Sequence, residues 1–178
     1  MARPSTPLLN RSLIRDTTLA LVDKDELFDD IADGIAETVD VSGFEGEDWQ
    51  EGLRIWARSY RAALAVHPNL VPFLASSPRQ RPTALHHADA VHGGLTRAGW
   101  PPRTATLIGA SIKYIVIGSA ITSFAGSFDP HAETYSTRYP HLSQAHRLRE
   151  YAAEIDVDSF ELLLESFLRG LEDEYPGM

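Results

Sequence analysis

Hydrophobic positions along this chain recur every three or four residues, the period of an α-helix with one buried face. The dominant stretch is Thr104 to Phe128, TATLIGASIKYIVIGSAITSFAGSF, in which Lys113 is the only charge. On a helix, its Leu107, Ile108, Ile112, Ile115, Val116, Ile117, Ile121 and Phe124 point to every side, well beyond the roughly 100° stripe of a one-sided surface helix. Such a helix must be covered all round. Gly109, Ala110, Gly118, Ala120 and Gly126 permit close approach, so the expectation is a central helix with its own domain on one face and a partner subunit on the other. A membrane would also cover it. Lys113 in mid-span, the lack of an aromatic or basic girdle and the lack of a second apolar stretch argue against that, so no membrane is expected.

The other segments read as shorter amphipathic helices. Leu9, Leu13, Ile14, Thr17 and Leu21 predict a helix over Leu9 to Val22, and Leu27, Ile31, Ile35 and Val39 a second over Lys24 to Val39. Asp25 and Glu26 stand in the first turn of the second, where the helix dipole favours anions. After a loop from Asp40 to Glu47, Asp48 opens a third helix, with Glu51 placed for a capping-box exchange. Its stripe Trp49, Leu53, Trp56, Tyr60, Leu64 is unusually aromatic, and His67-Pro68 closes it because the residue before a proline is pushed out of the α region. Asn69 to Ala75 is a short helix, SSPRQRP a loop, and Pro82 begins a helix with the inner face Leu85, Ala88, Val91, His92 and Leu95 that stops at Gly99. Pro101 and Pro102 start the central helix. Asp129 to Pro140 is irregular and Ser143 to Glu154 a short helix; Asp158, with Glu161 three residues on, is expected to cap a final helix bearing Phe160, Leu163, Leu164, Phe167, Leu168 and Leu171. No strand-like alternation exceeds about four residues. The fold class is therefore all-α, an antiparallel bundle with short connections.

At 178 residues and 43% hydrophobic, the chain can bury a full core without a metal or a crosslink, and it has no cysteine to supply either a disulfide or a thiolate. Met1 to Leu9 carries Pro4 and Pro7 and lacks a continuous apolar run, so no secretory leader is expected and the localisation reads as cytoplasmic. The net charge of -9 excludes a chain that binds nucleic acid over its whole surface. Residues 1 to 15 nevertheless hold Arg3, Arg11 and Arg15 and no acid, so phosphate contact is confined to that end, if those arginines are more than a solvated terminus.

Little in the sequence speaks for catalysis: no strand-turn-helix elbow, glycine-rich phosphate loop or metal-spaced cluster occurs, so no enzyme activity and no cofactor are expected. His86, His87 and His92 crowd one helix with Asp89 among them, but they leave a three- or four-ligand metal set incomplete, and a hydrogen bond from one histidine to a ligand is the better expectation. Trp56 and Tyr60, one turn apart, offer a flat wall with a hydroxyl handle, or else ordinary core packing. Lys113 is costly within its apolar helix unless its stem snorkels or an anion meets it, whether a carboxylate across a subunit interface or one on a ligand.

In two blocks the chain resembles the tetracycline-repressor (TetR) family of transcriptional regulators. The first is RPSTPLLNRSLIRDTTLALVD running into KDELFDDIADGIAETV; the second comprises WARSYRAALAVHPNLVPFLASSP, RPTALHHADAVHGGLTRAGW and the central helix. The resemblance implies residues 1–39 as the remnant of a DNA-binding domain and 40–178 as a C-terminal domain for ligand binding and dimerisation. It also implies a small, largely apolar organic effector contacted by Trp56, Tyr60, His87, Val91, Ile115 and Ser119, a homodimer built as a four-helix bundle through Phe160, Leu164, Phe167 and Leu171, and operator DNA flanked by Arg3, Arg11 and Arg15. One departure matters. In the family, roughly 35 residues holding the second helix, the turn and the recognition helix separate a helix like the one ending LALVD from the helix that Lys24 resembles. Here Asp23 runs straight into Lys24. Either a reading head is not represented in this sequence, which is the expectation, or the protein is a headless all-α binder. A Cα separation clearly above the 3.8 Å of a trans peptide at Asp23-Lys24 would mark missing chain.

Overall fold

The structure of the protein, a computed structural model, describes residues 29–76, 81–136 and 139–176. Arg3, Arg11, Arg15, the helix expected over Leu9 to Val22 and the Asp23-Lys24 junction lie outside the described residues. Among the described residues every regular element is helical: α1 (29–37), α2 (Trp49–Val66), α3 (Val71–Ser76), α4 (Pro82–Arg97), α5 (Pro102–Ile121), the single turns α6 (Glu133–Ser136) and α7 (Ala145–Leu148), and α8 (Ala152–Glu172).

The caps are local chemistry. Asp48 stands in extended backbone and its Oδ1 accepts from the Gln50 and Glu51 N–H groups at 3.0 Å each, satisfying donors that the first turn of α2 leaves free. His67 ends α2, and Pro82 sits in the first turn of α4, as the sequence implies. Between α4 and α5, Gly99 takes φ +100, while Gly99 N–H donates to Thr96 O at 3.0 Å and Trp100 N–H to Leu95 O at 3.1 Å. That pair of bonds is the Schellman ending, and glycine meets its left-handed φ without a Cβ clash.

The centre of the bundle is α5, which packs against α2, α3, α4 and α8. Its Ala105, Ile108, Ile112 and Val116 join Leu53, Ala57 and Leu64 of α2, Leu95 of α4 and Leu164 and Leu168 of α8 in one core, to which α1 adds Ala32 and Ile35. Phe44, in the turn before α2, is wedged between two helices: a Cβ on Gly52 of α2 would lie 2.8 Å from its ring, and one on Gly94 of α4 2.7 Å. The two glycines thus make the slot that the ring fills.

Along α2 and α8, polar side chains form an antiparallel ladder. Gln50 Nε2 donates to Glu172 at 2.8 Å, Arg54 grips Glu165 through two bonds of 2.9 and 3.1 Å, and Arg58 Nη2 reaches Glu161 at 2.7 Å and Glu165 at 3.2 Å. At one end Trp49, Trp100 and Tyr175 cluster with ring centroids 5.3 to 5.6 Å apart, and the Tyr175 hydroxyl donates to Ala98 O at 2.6 Å.

Four sequence expectations change. The central helix ends at Ile121, because Thr122 is extended; the chain then makes a single 3-10 turn over Ala125–Ser127. The final helix begins at Ala152, which puts Asp158 inside it; Glu161 serves Arg58 rather than a cap. Lys113 is exposed, so it incurs no burial cost. Finally, Phe160, Leu164 and Leu171 are buried in the protomer's own core and Phe167 packs against it, whereas Leu162 (66% exposed) and Leu163 (53%) face outward. A stripe spanning more than half of α8 contains both faces, and periodicity cannot say which is inward.

The outward face of α5 carries Leu107, Tyr114 and Ile121, with Phe124 just beyond. The segment Pro102–Ser127 is apolar and long enough to cross a membrane, and only 17% of its most apolar window is buried. Its inward face is nevertheless part of the bundle core, and a second protein surface would cover the outward one.

Candidate ligand-binding cavity

A chamber of about 630 Å³ opens between α1, α2, α4 and α5. It exists because the facing positions are small: Ala32 and Ala36 on α1, Ala84 and Ala88 on α4, and Ala105, Gly109 and Ala110 on α5. Ile35, Val39, Leu74, Leu85 and Val91 supply the apolar lining, and Trp56 and Tyr60 form a flat wall, their rings 6.4 Å apart and 28° from parallel. Such a volume and lining suit a drug-sized organic molecule.

Polar groups enter at a few points. Burial pushes the Tyr60 hydroxyl above its ordinary pKa, opposed by the positive charge of Arg81, so the phenol stays neutral and able to donate. Burial, and secondarily the neighbouring His86, push His87 below the usual histidine value, which favours neutral imidazole. The His86 and His87 rings lie 6.2 Å apart. His92 Nε2 is 3.2 Å from Pro102 O, an acceptor only, so that nitrogen carries the proton and ties α4 to the start of α5. Arg81, Asp89 and Lys113 are the charged groups of the lining. Among the described residues no three histidines or carboxylates come together as a metal site.

The structure brings Trp56, Tyr60, His87 and Val91 to one chamber. Ile115 and Ser119 are not among its lining residues: Ile115 packs against the core, and the Ser119 hydroxyl donates to Val116 O at 2.8 Å, inside its own helix. The part of α5 that meets the chamber lies nearer its N-terminus, from Ala105 to Lys113. Sequence reasoning missed Ile35 and Val39 as lining, and above all Arg81, which stands in what reads as a linker. A charge between apolar helices is a signal only after the fold closes over it.

An all-α bundle with an apolar chamber between α1, α2, α4 and α5 and an uncovered apolar face on α5 and α8 is the class of protein that this architecture defines. Residues 43–175 match the family of tetracyclin repressor-like C-terminal domains. The fold is similar to the crystal structure of a possible TetR family transcriptional regulator from Streptomyces coelicolor A3(2), with a TM-score of 0.61 and 26% sequence identity over 83% of this chain and 75% of that one. No curated protein matches. The chain belongs to the TetR family of transcriptional regulators.

Proposed function

We propose that this protein is a homodimeric, ligand-responsive transcriptional regulator, a cytoplasmic repressor released from operator DNA when a small organic molecule occupies the chamber. The observation that carries this reading is that Ala32, Ile35 and Ala36 line the chamber, with Val39 just beyond them, so an occupant would touch α1, the helix that joins the body to the N-terminal part of the chain. A ligand that favours one position of α1 shifts the population towards it. A hundredfold loss of operator affinity requires the ligand to prefer the released state by about 2.7 kcal/mol. On this reading residues 1–39 belong to the DNA-binding part and 40–178 to the body, although α1 shares the body's core. The outward faces of α5 and α8 pair with their copies as a four-helix bundle through Leu107, Tyr114, Ile121, Leu162 and Leu163, in place of the residues that the α8 stripe alone suggests.

The experiment is selection of bound duplexes from a random DNA pool by the full-length protein, followed by release with compounds that raise its melting temperature. Recovery of one enriched sequence, released by such a compound, is the expected result; retention unaffected by a tightly bound compound overturns the coupling. The direct run of Asp23 into Lys24 favours one second reading, a headless binding protein. It predicts ligand binding with no DNA retained at all.

A further inference from the structure

One group in the wall does not suit a neutral apolar occupant. Arg81 precedes α4 and lines the chamber, its Nε and Nη1 are buried, and neither has a hydrogen-bond partner among the described residues. A guanidinium cannot shed its proton, so these donors remain positive and unsatisfied. Arg81 as a whole is half-buried, and leaving two shielded donors of a charged group without an acceptor costs free energy. The lining carries a second cation, Lys113, against the single carboxylate of Asp89, which is exposed and forms no ion pair with Arg81 among the described residues. Tyr60, with its rings-wide wall shared with Trp56, lies close enough to feel the charge of Arg81. A positively biased chamber in a chain of net charge -9 selects its occupant by sign.

We infer that the ligand is an organic anion: a flat apolar body against Trp56 and Tyr60, with one oxyanion head, such as a carboxylate, phenolate or sulfonate, drawn to the guanidinium of Arg81 in the chamber wall. This rests on the chamber being the ligand site. A charge-assisted bond to an otherwise unsatisfied guanidinium gains more than a bond that merely replaces water. Lys113, reaching solvent at the other helix, adds attraction at longer range.

The test uses two fluorescent probes that share one ring system, 8-anilinonaphthalene-1-sulfonate and the uncharged N-phenyl-1-naphthylamine. They are titrated into the wild-type protein, Arg81→Gln, Arg81→Lys and the chamber-filling Ala110→Trp, each checked by circular dichroism. The sulfonate is expected to bind wild type at least tenfold more tightly than the neutral probe, to lose at least tenfold in Arg81→Gln and to lose less in Arg81→Lys. The neutral probe stays within about twofold in both arginine variants, and Ala110→Trp abolishes both. Equal affinities in wild type, with Arg81→Gln changing neither, overturn the anion inference and leave the chamber standing. Binding of both probes unchanged in Ala110→Trp overturns the chamber reading itself.

Discussion

Leu163 and Leu164 are neighbours in sequence, yet opposite in the consequences of a charge. Leu164 is fully buried in the protomer and Leu163 is 53% exposed, on the face of α8 assigned to the partner subunit. Covering a leucine completely contributes about 1.5 to 3 kcal/mol, so covering the exposed half of Leu163 is worth about 1 kcal/mol. Two-fold symmetry places the residue twice in the interface, which doubles the figure to about 2 kcal/mol. Leu163→Asp forfeits that and leaves a carboxylate per subunit facing apolar surface. A total near 4 kcal/mol is a conservative sum, equivalent to about a thousandfold weaker dimer. Sedimentation equilibrium over a concentration series reads this directly: wild type as dimer, Leu163→Asp as monomer at the same loading, with its helical circular dichroism retained. Leu164→Asp puts the same charge into the core and is expected to unfold the subunit. A Leu163→Asp protein that sediments as the wild-type dimer refutes the assignment of this face.

Three further outcomes follow from the geometry. Gly94→Ala places a methyl group 2.7 Å from the Phe44 ring, so urea unfolding is expected to show a loss of about 1 to 3 kcal/mol despite alanine's better helix propensity; an unchanged midpoint would mean the ring has room to move. Asp48→Ala removes the acceptor for two first-turn N–H groups of α2, an expected loss of about 1 kcal/mol in the same assay, and Asp48→Asn restores most of it. Glu165 is held below the usual glutamate range, chiefly by its hydrogen bonds from Arg54, so its folded pKa lies below its unfolded one. The stability it contributes is complete above the unfolded value of about 4.3 and fades as pH falls through the folded one. The pair is partly exposed and screened, so the loss is under about 1 kcal/mol. Glu165→Gln flattens that part of the acid limb in a pH series of melts, and an acid limb identical to wild type contradicts the assignment.

Among the described residues, the sequence alone determined the main helices and several of their ends. Asp48, His67-Pro68, Pro82 and Gly99 act through atoms no more than a few residues away, so their chemistry is complete before the chain folds. It also determined that α5 is central to the bundle, because the most apolar helix gains most by packing against several neighbours. Which side of α8 faces in was decided by the tertiary structure, since Phe160 and Leu163 belong to one continuous apolar stripe until α2 and α5 claim part of it. The chamber likewise belongs to no single segment: it is the space that small residues on α1, α4 and α5 leave when those helices meet, and Arg81 acquires meaning only as part of its wall. Periodicity is a property of one helix; an inside requires several.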